Sequence, residues 1–75
     1  MEVIKLREEY IKLGQALKTA GLVDSGVMAK DVILNGEVKV NGETELQRGK
    51  KLKDGDIVEF EGNQIKICKY LIWSF

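Results

Sequence analysis

The sequence predicts an α+β domain in which a helical hairpin precedes most of the strands. Three observations carry this. Leu13, Ala16, Leu17 and Ala20 recur at helical spacing, and Met28, Ala29, Val32 and Ile33 do so again. The period then switches to two, with Val38 and Val40 alternating with Glu37 and Lys39. Asn41-Gly42 follows at once, and an Asn-Gly pair beside alternating residues is the strongest short-range hairpin signal, because a type I′ turn needs positive φ at both positions. The order strand, helix, helix and several strands is that of an α+β fold.

Taken in order, Glu2 to Arg7 alternates loosely through Val3, Ile4 and Leu6 and predicts a short strand or extended entry. The first helix is about two turns long and ends at Gly21, which takes the left-handed conformation without a Cβ clash. So short a helix depends on packing. Asp24 and Ser25 are N-cap candidates for the second helix, and Asn35-Gly36 closes it. Gln47 to Lys53 is polar and predicts a loop; Asp54-Gly55-Asp56 predicts a tight turn. Ile57 to Phe60 and Gln64 to Cys68 predict two more strands around Glu61-Gly62-Asn63.

The 75 residues make one small domain, 1–75, with a thin core and little room for a deep catalytic cavity. His is absent, which excludes a His-dependent triad, a His-based metal site and a histidine pH switch. The single cysteine, Cys68, forms no internal disulfide and no zinc knuckle, which fits a reducing, cytoplasmic compartment. The N-terminus lacks a signal-peptide core, and the apolar tail Tyr70 to Phe75 is far too short to span a bilayer, so no membrane partner is expected. Glu8 and Glu9 are adjacent and diverge in regular structure. Asp54 and Asp56 suit a turn for backbone reasons. Cys68 follows Ile67 in the last predicted strand and reads as a structural residue, with no His to activate it. No phosphate loop of the Walker or dinucleotide type is present. No enzyme, catalytic residue, cofactor or metal is expected.

Twelve basic residues balance twelve acidic ones, but not evenly. Residues 47 to 53 carry Arg48, Lys50, Lys51 and Lys53 and no acid. A local positive excess suits phosphate contacts; it equally suits a solvated loop. Ser25-Gly26 opens the second helix with Lys30 one turn on, which reads either as a site for an anion at free backbone N–H groups or as an ordinary cap with a surface lysine.

Leu13-Gly14-Gln15-Ala16-Leu17-Lys18, Gly21-Leu22, Ser25-Gly26, Ala29-Lys30, Ile33, Gly36-Glu37-Val38-Lys39-Val40-Asn41-Gly42 and Leu52-Lys53-Asp54-Gly55-Asp56 together resemble the alpha-L RNA-binding motif family, the S-four-type RNA-binding domain. The match runs from about Ile11 to Phe60. Ser25 to Lys30 and Arg48 to Leu52 look like its short, stand-alone YaaA-like bacterial branch. The resemblance implies two helices packed on a small, bent, mostly antiparallel sheet. It implies non-catalytic binding of structured RNA, ribosomal or ribosome-associated, with a ribosomal particle as a further partner. On that reading the RNA-binding residues are Lys12, Lys18, Ser25, Gly26, Lys30, Arg48, Lys50 and Lys51. The chain departs from the wider family at Gly26, where a basic residue is usual, and at Lys12, where Arg is. It departs from the branch at Val27, where a second Gly is usual, and at Gln47, where a second Arg is.

Two other classes fit parts of the chain. A ubiquitin-like sulfur carrier shares the Asn-Gly and Asp-Gly-Asp signals, but such carriers act through a C-terminal Gly-Gly, and this chain ends Trp73-Ser74-Phe75. A protein-interaction module would use the apolar tail, Lys69 to Phe75, which the family pattern does not cover.

Overall fold

The computed structural model describes residues 2–69. The apolar tail from Tyr70 onward, with Trp73 and Phe75, lies outside the described residues. The elements are β1 (Glu2–Leu6), β2 (Ile11–Lys12), α1 (Leu13–Thr19), α2 (Gly26–Leu34), β3 (Val38–Val40), β4 (Glu43–Thr44), β5 (Lys51–Leu52), β6 (Ile57–Phe60) and β7 (Asn63–Lys69).

Both helices end by the same device. Gly21, at φ 76°, donates to the Lys18 carbonyl at 2.9 Å, and Leu22 donates to Leu17 at 3.0 Å. Gly36, at φ 77°, donates to Ile33 and Glu37 donates to Val32, each at 3.1 Å. These paired bonds are Schellman closures, and they use up carbonyls that the helix itself leaves unpaired. Ser25 caps α2, its Oγ accepting from the Met28 N–H at 3.2 Å.

The main sheet runs in the order β1-β7-β6-β3-β4, antiparallel throughout except that β1 and β7 are parallel, with Glu2 opposite Ile65 and Leu6 opposite Lys69. The α+β class holds, and the sheet is mixed. Asn41-Gly42 turns β3 into β4 with φ of 53° and 84°, the type I′ geometry that the dipeptide predicts. The Asn41 side chain does a second job. Its Nδ2 donates to Asp56 Oδ1 at 3.0 Å, and its Oδ1 accepts from the Ile57 N–H at 2.9 Å. Asp56 Oδ2 accepts from Lys53 N–H at 2.8 Å, and Asp54 Oδ1 accepts from Lys69 N–H at 2.8 Å. Asp56 therefore serves the backbone of its own turn, and Asp54 ties that turn to the end of β7.

One apolar cluster joins helices to sheet. Leu13, Ala16 and Leu17 of α1 and Ala29 and Ile33 of α2 pack with Val38, Val58, Ile65 and Ile67, all with no solvent exposure. Alternation along β3 and β7 leaves Lys39 and Lys66 outside.

Two expectations need correction. Residues 47 to 53 are not wholly loop: Lys51–Leu52 forms β5 and pairs with β2, Ile11 opposite Leu52. Leu52, fully buried, anchors the strand. The apolar face of α2 is narrower than its spacing suggests. Met28 is 44% exposed, and Ala29 with Ile33, one turn apart, face the core.

Candidate nucleic-acid interface

The candidate site begins where β2 runs straight into α1. Lys12 is the N-cap residue, extended at φ −75° and ψ 145°, and its side chain caps nothing. The first helical N–H groups therefore need other acceptors. The 48–50 loop supplies them: Leu13 donates to the Lys50 carbonyl at 2.8 Å, and Gly14 donates to the Arg48 carbonyl at 3.1 Å. This straps the basic loop across the start of α1.

Gly14 lets the strap lie close. A Cβ at this position would stand 2.8 Å from Arg48 Cγ and 3.4 Å from Cδ, inside ordinary contact distance. Arg48 thus rests its aliphatic stem on the bare backbone of α1. Glycine costs a helix interior about 1 kcal/mol relative to alanine, so its presence here answers to packing rather than to helix propensity.

Lys12, Lys18 and Arg48 line one open groove with Gly14, Gly26 and Gly49. Gln15 completes its wall, and no acidic residue takes part. Nothing lies within 4 Å of a Cβ built on Gly26 or on Gly49, so two edges of the groove are open backbone. Ser25 stands next to Gly26 with its hydroxyl occupied as the cap of α2.

The remaining sequence candidates fall elsewhere. Lys50 lines a separate cleft with Glu43, Glu45 and Asp56. Acids surround it there, which is a poor setting for a phosphate contact. Lys51 holds its ammonium 4.9 Å from the centroid of the Tyr10 ring. At a surface position such a contact contributes ~0.5–1 kcal/mol. Lys30 is exposed on α2 and does not line the groove. Of the eight residues that the resemblance picks out, the structure places Lys12, Lys18, Gly26 and Arg48 along one groove, with Ser25 next to Gly26. It does not bring Lys30, Lys50 and Lys51 to them.

Sequence reasoning missed Gly14, Gln15 and Gly49 as groove residues. The signal available was Gly14 itself, a weak helix former placed in the first turn, where a backbone contact is the usual reason. It also missed Tyr10, 38% exposed in a second groove with Glu8, Glu9 and Ile11. That groove shares Lys12 and Gln15 with the first. Glu9 there meets Lys69 Nζ at 3.4 Å, a solvent-exposed ion pair of small energetic weight.

Among the described residues, no group of three or more His, Cys, Asp or Glu is placed to hold a metal. Cys68 is free and partly buried. No helix among the described residues is long and apolar enough to cross a membrane.

The "Probable ribosome maturation protein RlbA" of Bacillus subtilis (strain 168) is 49% identical over 59 residues, covering 79% of this chain and 83% of that protein. The "Putative RNA-binding protein YbcJ" of Escherichia coli (strain K12) is 33% identical over 61 residues, covering 81% of this chain and 87% of that one. The solution structure of the E. coli YbcJ protein, described as having an alfaL motif involved in RNA-binding, superposes with a TM-score of 0.70 at 32% identity. That superposition covers 91% of this chain and 87% of the other. None of these names describes an enzyme. The family model of the S4 domain matches residues 4–68, wider at both ends than the motifs alone mark out and including the Asn-Gly and Asp-Gly-Asp signals that a sulfur carrier would share. The chain belongs to the S4 domain family, and its fold is the alpha-L RNA-binding motif.

Proposed function

We propose that this protein is a non-catalytic binding module for structured RNA that holds phosphates in the groove lined by Lys12, Lys18 and Arg48. The observation that carries the reading is the convergence of these cations, from β2, α1 and the 48–50 strap, around a surface with no acidic residue. Backbone contacts of this kind position a protein on a helix without reading its sequence. Open glycine backbone at Gly26 and Gly49 lets a bulky sugar-phosphate chain approach. Ser25 flanks this surface; Lys30, Lys50 and Lys51 contribute at most to its periphery.

The names of the two relatives support RNA binding, and one of them a ribosomal setting: "Probable ribosome maturation protein" and "Putative RNA-binding protein". Ribosomal RNA, or a maturing ribosomal particle in the cytoplasm, is the partner this reading favours, with the chain acting as one domain and needing no cofactor. The test is an amide NMR titration with structured ribosomal RNA fragments. Lys12, Gly14, Gly26, Arg48 and Gly49 should shift together while Glu59 and Gly62 stay in place. Shifts centred on the Glu59–Gly62 end would overturn the assignment.

A further inference from the structure

Resting on the groove reading above, we propose that Tyr10 is a stacking platform for one unpaired base of the bound RNA, so that the protein prefers a duplex with a base looped out beside the phosphates it grips. The second groove, with Glu8, Glu9, Tyr10 and Ile11, is continuous with the phosphate groove through Lys12 and Gln15. RNA lying along Lys18, Arg48 and Lys12 is therefore led onto the Tyr10 ring.

The chemistry changes along that path. The phosphate groove has cations and no acid, whereas the second groove has two carboxylates beside an aromatic ring and Ile11. Carboxylates repel phosphate, but they accept hydrogen bonds from the amino and imino groups of bases. The second groove thus suits a base and disfavours the backbone. A tyrosine 38% exposed presents a flat apolar ring to which every base has a matching π-face. A base inside an A-form helix is beyond reach of this ring, because its faces are already stacked. The ligand is therefore a bulged or terminal nucleotide next to a duplex.

Lys51 fits this arrangement. Its ammonium lies 4.9 Å from the ring centroid in the free protein. An incoming base takes over that ring contact, and the long lysine side chain turns to the phosphate that the base carries with it. The placement of Lys51 away from the main cation set then has a use: it serves the same RNA one nucleotide further on.

The bland alternative is that Tyr10 and Lys51 form a strap that steadies the short β2–β5 pair. The two readings separate by experiment. Binding is measured by fluorescence anisotropy with three RNA duplexes of one sequence: fully paired, with one unpaired adenosine, and with an abasic residue at that place. Wild-type protein should bind the adenosine bulge roughly 5- to 10-fold more tightly than the abasic bulge. Tyr10→Phe should keep that ratio, and Tyr10→Leu should bring it close to one while leaving affinity for the paired duplex unchanged. An equal affinity of wild type for the adenosine and abasic bulges overturns the platform. So does a Tyr10→Leu protein that loses affinity equally for all three, with a lowered melting temperature, which is the outcome of a purely structural strap. In either case the groove reading survives if the paired duplex is still bound and Arg48→Ala weakens it. If wild type binds none of the three duplexes, the groove reading falls with the platform.

Discussion

The groove at the start of α1 and the β6–β7 hairpin end of the sheet share no residue and carry opposite charge. The groove has Lys12, Lys18 and Arg48 with no acid. The hairpin end gathers Glu2, Glu37, Glu59 and Glu61, with Lys39 the one cation among the described residues that line the clefts there. A net charge of zero therefore conceals two poles. Net charge governs solubility and nonspecific adhesion, whereas the local field orients an approaching polyanion. A neutral protein with this division offers a polyanion one favourable face and one unfavourable one, which favours oriented contact over nonspecific coating.

The largest expected effect breaks the comparison altogether. Leu17 is fully buried and joins α1, the helix that carries Lys18, to the core under the sheet. Leu17→Ala should destabilise the fold by about 2–5 kcal/mol, read as a lower denaturant midpoint. Both poles should be lost together, since neither short helix stands alone.

A milder change dismantles one pole and spares the other. Gly14→Ala improves helix propensity, yet its methyl would sit 2.8 Å from Arg48 Cγ. Arg48 must leave its seat. We expect thermal stability to change by less than about 1 kcal/mol while RNA affinity falls toward that of Arg48→Ala. Combining the two should weaken binding little beyond Arg48→Ala alone, because both act through one side chain.

A third change sharpens the contrast. Space is open beyond Gly26, where the wider family usually carries a basic residue. Gly26→Lys should fold normally and bind RNA more tightly, with a salt slope steeper by roughly 0.7–0.9. The smallest effect belongs to the acidic pole. Glu61→Gln, in the turn beyond the clefts' strands, should leave RNA affinity within about twofold, since an exposed charge this far from the groove is screened at physiological salt.

How much of this was legible in the sequence differs between the two regions for physical reasons. The sheet end was readable because its signals are local. Val38 and Val40 alternate, Asn41-Gly42 dictates a turn type, and Ile65 and Ile67 alternate again. Helix ends were readable at Gly21 and Gly36 because only backbone freedom at one residue is at stake. The groove was harder. β2 and β5 are two residues each, too short to show a period, and their pairing joins residues about forty apart. The parallel partnership of β1 with β7 spans nearly the whole chain. That Lys50 would point among Glu43, Glu45 and Asp56, and Arg48 across Gly14, follows from the two bonds strapping residues 48 and 50 to α1, which no local pattern announces. Basic residues were identified by type; their division between grooves is a tertiary fact.

The central claim, that the Lys12, Lys18 and Arg48 groove grips phosphate, is tested most directly by the salt dependence of RNA affinity. For about three neutralised phosphates, log affinity against log salt should fall with a slope of roughly −2 to −3. The double variant Lys18→Ala with Arg48→Ala should flatten that slope to roughly −1 and weaken binding at low salt by about tenfold or more. A double variant that keeps both the wild-type slope and the wild-type affinity would contradict the account and move the RNA surface elsewhere on the molecule.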